Sequence, residues 1–460
     1  MSALQQSALS RLVVAACRPQ QRAFAGPLAH TASSFSSTIY VRSNSTASEH
    51  SLPPPQGPLV GIKVLDLGQV VAGNFCGALL AYFGADVIKV EPPKKGDALR
   101  SLRTLDSSGT SLWWRCHGRN RRCVTINLNV PEGRELVKRL SSRVDVLVEN
   151  FRPGVMEGWG LGPADLKPDL VYARISGYGQ TGPRAPDPGY ASVCEAYGGF
   201  RHLNGYPDRP PVRPNISLGD TLAGLHAAFG VVMALLHKQR AARTGGGGGD
   251  RPMGQVVDAA ISESVFNMLE SCVAEVAEAG EDRQPSGSTI SGVVPSGTFR
   301  TQDGRYVVIG GNGDSVYSRL MAAIGRPDMA ASNPAYASNS LRVAAEAEIM
   351  GQIEEWVAKH TLEEVMGCMT KARVPAGPIL SPAALMAEPQ FRARGMVQSA
   401  PPPSGGRPVT MPALLPVLSG TPGATRWAGP DLGEHTEEVL RGELGLGDAE
   451  MAALRAAGAI

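Results

Sequence analysis

From Leu59 onward, short apolar runs rich in β-branched residues alternate with longer segments of helical period. GIKVLDLG (61–68) is bounded by glycines and predicts a strand. GNFCGALLAYFGA (73–85) predicts a helix packed through small residues, and DVIKVEPP (86–93) a second strand stopped by prolines. VTINLNV (124–130) reads as a strand, and PEGRELVKRLSSR (131–143) as a helix with proline at its first position. Two more strands follow, VDVLVENF (144–151) and LVYARISGYG (170–179). Strands alternating with helices predict βαβ units, hence a Rossmann-like, doubly wound α/β parallel sheet.

The later pattern is different. TLAGLHAAFGVVMALLHKQR (221–240) is a long apolar helix, 255–271 a strand leading into a helix, and FRTQDGRYVVIGG (299–311) a hairpin turning at Asp303-Gly304. Helical segments run on to about Lys371, and LGEHTEEVL (432–440) starts another helix. The expected organisation is a targeting segment (1–48), a Pro-rich linker (49–58) and a large α/β domain (59–275). A smaller middle domain (276–385) and a C-terminal return to the large domain (386–460) complete it. No internal repeat is present.

Composition narrows the class. Net charge is +2, with no signature of polyanion binding, so no nucleic acid is expected. No run of 18 apolar residues occurs, so no membrane span is expected. The 7 cysteines form no C-x-x-C pair, which argues against zinc and a disulfide framework; no metal is expected. The five-glycine run in 244–252 lacks the following G-K-[ST] of a phosphate loop and reads as a surface insertion. No G-x-G-x-x-G follows the first strand, so dinucleotide binding is not indicated. The first 48 residues contain no Asp or Glu, carry Arg11, Arg18, Arg22 and Arg42, and are rich in Ser and Ala. That composition predicts a mitochondrial targeting peptide and a matrix location.

Asp220 is the carboxylate of greatest interest. It follows Gly219 and opens the long apolar helix, where an aspartate serves as an N-cap or sits at the helix mouth. Position alone leaves both a capping and a chemical role open. The two coexist readily, because free N–H groups and the helix dipole stabilise developing negative charge. Glycine-rich SGYGQTG (176–182) offers backbone N–H donors for an oxyanion, or makes a tight loop.

Seven segments occur in order: GIKVLDLGQVVAG (61–73), GADVIKVEPPKKGD (84–97), NRRCVTINLNVPEG (120–133), VENFRPG (148–154), SGYGQTGP (176–183), SLGDTLAGLHA (217–227) and LGEHT (432–436). Together they resemble the class III CoA-transferase family, including its formyl-CoA, carnitine and succinyl-CoA:glutarate members. The resemblance runs from about Leu59 to the C-terminus and implies transfer of CoA between carboxylic acids, with Asp220 as the nucleophile. The mitochondrial setting favours succinyl-CoA as donor and glutarate as acceptor. The resemblance also implies CoA contacts at Val71, Ala72, Asn150, Phe151, Arg152, Gly189 and Tyr190, and an adenosine site lined by Ile126, Asn127, Leu128 and Asn129. CoA thioester is then a substrate and no separate cofactor is expected. The partners are acyl-CoA and small carboxylic acids, and an interlocked, ring-like homodimer is implied.

Two departures stand out: Pro92 and Gly158 occupy positions where some members carry arginine. A Gly-Gly-rich loop that closes over the nucleophile has GGNGD (310–314) as its candidate match. Arg201, Arg209 and Arg213 are candidates to hold a distal carboxylate, or are solvated loop charges. Two other readings share the fold. An α-methylacyl-CoA racemase needs an acid/base pair, typically His and Asp, and DPGYAS (187–192) has Tyr190 and no His. A non-catalytic CoA-binding protein would have no use for Asp220. A fluorescent reporter fused behind residues 1–48 is expected in mitochondria; a cytosolic reporter would refute the targeting reading.

Overall fold

The computed structural model describes residues 54, 56–243 and 253–460. The expected targeting segment 1–48 and the glycine run of 244–252 lie outside the described residues. Six strands form one parallel sheet in the order β3-β2-β1-β4-β5-β6. They are β1 (Lys63–Asp66), β2 (Asp86–Glu91), β3 (Arg122–Thr125), β4 (Val146–Glu149), β5 (Val171–Ser176) and β6 (Val256–Ala260). The central strands β4 and β5 are buried on both faces, which is why they read as near-continuous runs, whereas the edge strand β6 is partly exposed. Helices cover each face. On one lie the Ala72–Tyr82 and Leu218–Arg243 helices, and on the other Pro131–Ser141 and the C-terminal Thr436–Leu444 and Asp448–Ala456 helices.

Strand order reverses between β1 and β4, both of which leave the sheet at the same edge of the layer. A crevice outside the carboxyl ends of such a pair is where doubly wound sheets take ligands. The Ala72–Tyr82 helix lies beneath it, with every residue except Phe75 buried. A helix apolar all round must be buried all round.

The Leu218–Arg243 helix is long and apolar enough to cross a membrane by length and composition alone. Here its small residues, Ala223, Gly224, Ala227 and Ala228, pack against the Ala72–Tyr82 helix and the sheet. At Gly224 backbone meets backbone: a Cβ would stand 2.6 Å from the Ala72 carbonyl oxygen and 3.2 Å from Phe75 Cβ.

A second core lies around the antiparallel sheet β7 (Ser296–Arg300), β8 (Tyr306–Gly310) and β9 (Ala376–Pro378), with Tyr317, Leu320, Ile349, Ile353 and Val365 packed upon it. Its hairpin turns at Asp303-Gly304, with Gly304 at φ 75°. After a two-stranded hairpin, β10 (Val397–Ala400) and β11 (Val409–Pro412), the chain returns to β3. There the LGEHT segment is structural. The His435 N–H donates to the Cys123 carbonyl at 2.9 Å, and the Thr125 N–H donates to the Thr436 hydroxyl at 3.0 Å.

Gly→Ala in a helix interior ordinarily stabilises by up to ~1 kcal/mol. At Gly224 the added methyl meets backbone, so Gly224→Ala is expected to destabilise by about 1–3 kcal/mol, read as a lowered urea midpoint. A raised midpoint would show that the two helices do not approach this closely.

Candidate active site

The turn after β1 is built from the buried polar groups beneath it. Asp66 accepts from the Gly68 N–H at 2.8 Å and pairs with Arg121 at 2.5 Å. Arg121 also donates to Asn74 at 2.8 Å, and the Lys89 ammonium donates to the Gly68 carbonyl and lies 3.7 Å from Asp97. Asp97 accepts from the Val70 N–H at 3.0 Å, and the Asn74 amide donates to the Val70 carbonyl at 2.7 Å. These bonds hold Val70 at φ 60°, a left-handed backbone that a β-branched residue adopts only when its surroundings compel it. Across the crevice, the Asn150 side chain receives the Gln69 N–H at 2.6 Å and donates to the Gln69 carbonyl at 2.9 Å, tying the end of β4 to the end of β1.

A cavity of about 280 Å³ opens at this junction. Gln69–Ala72 come from the β1 turn, Asn150–Pro153 from the end of β4, and Ile175–Gly177 from the end of β5. Asp187–Tyr190, Asp220 and Ile261 close it. The wall is thin where Gly177 meets Gly189; a Cβ on Gly177 would lie 2.8 Å from the Gly189 Cα.

Asp220 is not the cap of its helix. The helix begins at Leu218, so the carboxylate sits inside the first turn, among the N–H groups that have no intrahelical partner. No hydrogen bond to its carboxylate forms among the described residues. Burial pushes this carboxyl up to about 7. The nearby Glu195 charge adds to the rise, and Arg213 opposes it. Its neighbour Gly219 donates its N–H to the fully buried Glu195 at 3.1 Å.

Of the sequence-derived candidates, Val71, Ala72, Asn150, Phe151, Arg152, Gly189, Tyr190 and Asp220 are brought together around this one cavity. Val71 and Ala72 are buried in its floor, whereas Arg152 and Tyr190 are exposed at its rim. Ile126, Asn127, Leu128 and Asn129 do not line it. Ile126 is buried in the core behind β3, and Leu128 packs beside it. The Asn127 side chain donates to the Gly458 carbonyl at 3.0 Å and receives the Asn129 N–H at 3.1 Å.

The segment GGNGD is also absent from the cavity wall. Asp314 pairs with Arg342 at 2.7 Å, and Arg342 donates to the Asn312 carbonyl at 2.8 Å, which fixes the loop to the second core. In SGYGQTG, the N–H groups of Gly179 and Gln180 are already engaged, by Ser176 and Asp258, each at 2.9 Å. Arg201 is held by Ser192 at 2.8 Å, Arg209 is exposed beside Asp208, and Arg213 is exposed near Asp220. No histidine is among the cavity residues, so this wall offers no imidazole for a racemase acid/base pair.

Sequence reasoning missed Gln69 and Glu195. Gln69 stands inside a motif already singled out, between two predicted elements. Glu195 is a lone acid in the apolar stretch ASVCEAY and leaves no pattern of its own.

Comparison with known proteins decides the family. The model for CoA-transferase family III matches residues 59–436. The chain belongs to that family. It is 42% identical to succinyl-CoA–D-citramalate CoA-transferase of Chloroflexus aurantiacus, over 87% of this chain and 98% of that one. It is 29% identical to human succinyl-CoA:glutarate CoA-transferase, over 88% and 90%. Among solved structures, a CAIB/BAIF family protein from Brucella suis superposes with a TM-score of 0.72 at 31% identity, covering 84% of this chain and 100% of that one. The enzyme is a CoA-transferase of family III, and its substrates are acyl-CoA and carboxylates.

The position of Asp220 sets the pH dependence to expect. If Asp220 is the attacking carboxylate, it attacks as the anion, and kcat/KM is expected to rise with pH through about 7 and level off above it. A profile already flat from pH 5 to 8 would show that no carboxyl raised in this way takes part.

Proposed function

We propose that the enzyme transfers CoA from succinyl-CoA to a C4 or C5 dicarboxylate through an aspartyl-CoA thioester on Asp220. The observation that carries this reading is a partly buried carboxylate, free of hydrogen bonds among the described residues, at the base of the switch-point cavity. A carboxylate left unbonded in such a place is available for chemistry.

The Asp220 oxygen attacks the thioester carbonyl, the C–S bond breaks, and CoA thiolate leaves a mixed anhydride. Thiolate then attacks the Asp220 side-chain carbonyl and releases the donor carboxylate. The acceptor carboxylate runs the same steps backward. Each step exchanges activated acyl groups of similar free energy, so no ATP is required. The cavity wall suits a bound CoA thioester. Its glycine junction, Gly177 against Gly189, lets a narrow arm approach, and Arg152 at the rim suits a phosphate or carboxylate.

Glutarate, the acceptor first expected, and D-citramalate, named in the relative of 42% identity, are both five-carbon dicarboxylates in their main chain or skeleton. Arg213, an exposed charge that opposes the rise of the Asp220 carboxyl, is the candidate for the distal carboxylate of either. CoA contacts at Val71, Ala72, Asn150, Phe151, Arg152, Gly189 and Tyr190 belong to this reading, as does the mitochondrial matrix.

A homodimer belongs to it too. Leu225, Phe229, Val232 and Leu236 stand exposed along the Leu218–Arg243 helix and line an apolar hollow of about 450 Å³ with Leu415 and Leu418. A stripe of this kind calls for a partner surface.

The test offers succinyl-CoA with glutarate, D-citramalate, malate, oxalate and carnitine in separate assays, using the parent and Asp220→Asn. Transfer to a dicarboxylate is expected for the parent and loss of at least ~10³-fold in kcat for the variant, since Asp187, the other carboxylate of the cavity lining, is paired with Arg184. The variant should stay folded. The unfolded chain ionises Asp220 near pH 3.9 and the folded one near 7, so ionisation of the parent weakens the fold as pH rises across that window. Asparagine escapes that loss, and the variant's thermal midpoint at pH 8 is expected to equal or exceed the parent's. Turnover near the parental rate would overturn the assignment of Asp220.

A further inference from the structure

We infer that Glu195 is a positioning residue for the acyl transfer: its buried carboxylate fixes the turn that carries Asp220 and favours the acylated form of that residue by repelling its charge. The inference rests on Asp220 being the residue acylated.

The geometry comes first. Glu195 lies in the Ala191–Tyr197 helix with no exposed surface. One carboxylate oxygen accepts from the Gly219 N–H at 3.1 Å. That N–H is among those at the start of the Leu218–Arg243 helix that lack an intrahelical acceptor. The other oxygen lies 3.5 Å from the Arg201 guanidinium, whose Nε is itself buried without a partner. Packing is tight as well: a Cβ on Gly219 would stand 3.2 Å from Glu195 Cγ and 3.0 Å from Ile261. The anion site of the helix N-terminus is therefore filled by Glu195, and Asp220 is left unbonded next to it.

Several other groups face Asp220. Cys194 comes from the same helix as Glu195, Arg213 from the segment ahead of the Leu218–Arg243 helix, and Asp187, Arg152 and Tyr190 from the cavity wall. The Cys194 thiol is pushed up to about 11 by burial and by the two acids, and is neutral near pH 7. Arg213, Arg152 and Tyr190 are exposed, and solvent screens the two charges. Glu195 is the fully buried charge of this set, and low polarisability around it makes its field on Asp220 the strongest.

The consequence follows from charge balance. Acylation converts the Asp220 carboxylate and an acyl-CoA thioester into an aspartyl-CoA thioester and a free carboxylate. One C–S bond breaks and another forms, no proton is consumed, and one negative charge moves from the protein to water. Protonation of Asp220 removes the same charge from the same place. A neighbouring anion therefore favours both, and by the same factor.

Glu195→Gln keeps an oxygen for the Gly219 N–H and removes the charge. Its expected effect is twofold. The acidic limb of kcat/KM moves down by about one pH unit. The amount of Asp220 hydroxamate, formed by hydroxylamine after equilibration at about pH 9, where Asp220 is ionised in parent and variant alike, at a fixed succinyl-CoA to succinate ratio that acylates a minor fraction of the enzyme, and measured by mass spectrometry, falls by the same factor, ~10-fold per pH unit. Glu195→Ala carries the same expectation without setting an amide against Arg201, so a folding failure of one variant leaves the other. Glu195→Asp retains the charge and should keep the limb in place. A merely structural Glu195 would lower kcat in the Gln and Ala variants with the limb and the hydroxamate level unmoved, and that result overturns the proposal. A limb that moves without a matching change in hydroxamate also overturns it. Absence of hydroxamate on Asp220 in the parent would instead refute the acylation of Asp220 itself.

Discussion

The turn that follows β1 depends on four buried charges that sum to zero. Asp66, Lys89, Asp97 and Arg121 are all wholly inaccessible to solvent, and each is within ion-pair range of another. Removing one partner from such a set strands an uncompensated charge, which costs about 3–5 kcal/mol. The arrangement holds Val70 in a left-handed conformation, seats Val71 and Ala72 in the cavity floor, and presents Gln69 to Asn150. It reaches the C-terminus as well. Arg121 follows Asn120, whose side chain accepts from the Arg426 N–H at 2.7 Å and donates to the Ala424 carbonyl at 2.7 Å, and the Arg121 carbonyl accepts from the Trp427 indole at 3.3 Å. A stretch some 300 residues later in the chain thereby buttresses the turn that forms one wall of the site.

The parallel sheet was legible because its signals are local. Gly-bounded β-branched runs, a proline at the first position of the 131–141 helix and prolines after β2 each follow from backbone stereochemistry within a few residues. Gathering the cavity residues from sequence required the family resemblance, since Val71, Asn150, Gly189 and Asp220 meet only through the crossing of strand order between β1 and β4. The segment 126–129 marks one limit: the resemblance names it, and it falls outside this cavity. It lies next to β3, two strands away from β1, and its asparagine bonds to Gly458. Glu195 shows the opposite limit: its importance is set by Gly219, 24 positions later, and no short-range pattern reports a contact of that span.

The long helix explains another gap between pattern and structure. Its apolar residues face every direction, so period alone could not choose an inner face. Size chooses it. Alanines and Gly224 point inward because the Ala72–Tyr82 backbone lies against them, while Leu225, Phe229, Val232, Met233 and Leu236 are left outside. Most of the large residues lie outside and small ones inside, with Val231 and Leu235 the buried exceptions, which departs from the usual pattern of a surface helix. Such a departure is what a helix shows when two surfaces compete for it, one needing close approach and the other needing area.

That competition bears on the chemistry at the helix start. Asp220 is placed by three constraints that act on one rigid rod: Gly219 bonded to Glu195, Gly224 seated on Ala72, and Lys238 near the far end bonded to the Asp169 carbonyl at 2.6 Å. The rod cannot slide without breaking one of them, and a slide of one residue, 1.5 Å, would carry the carboxylate out of register with the cavity floor. In the proposed dimer, the outer stripe gives the same rod a fourth constraint, burial of Phe229 and Leu236, at a distance from the proposed nucleophile. Assembly would then sharpen the placement of Asp220 by limiting the helix's freedom, even though the stripe itself touches no reacting atom.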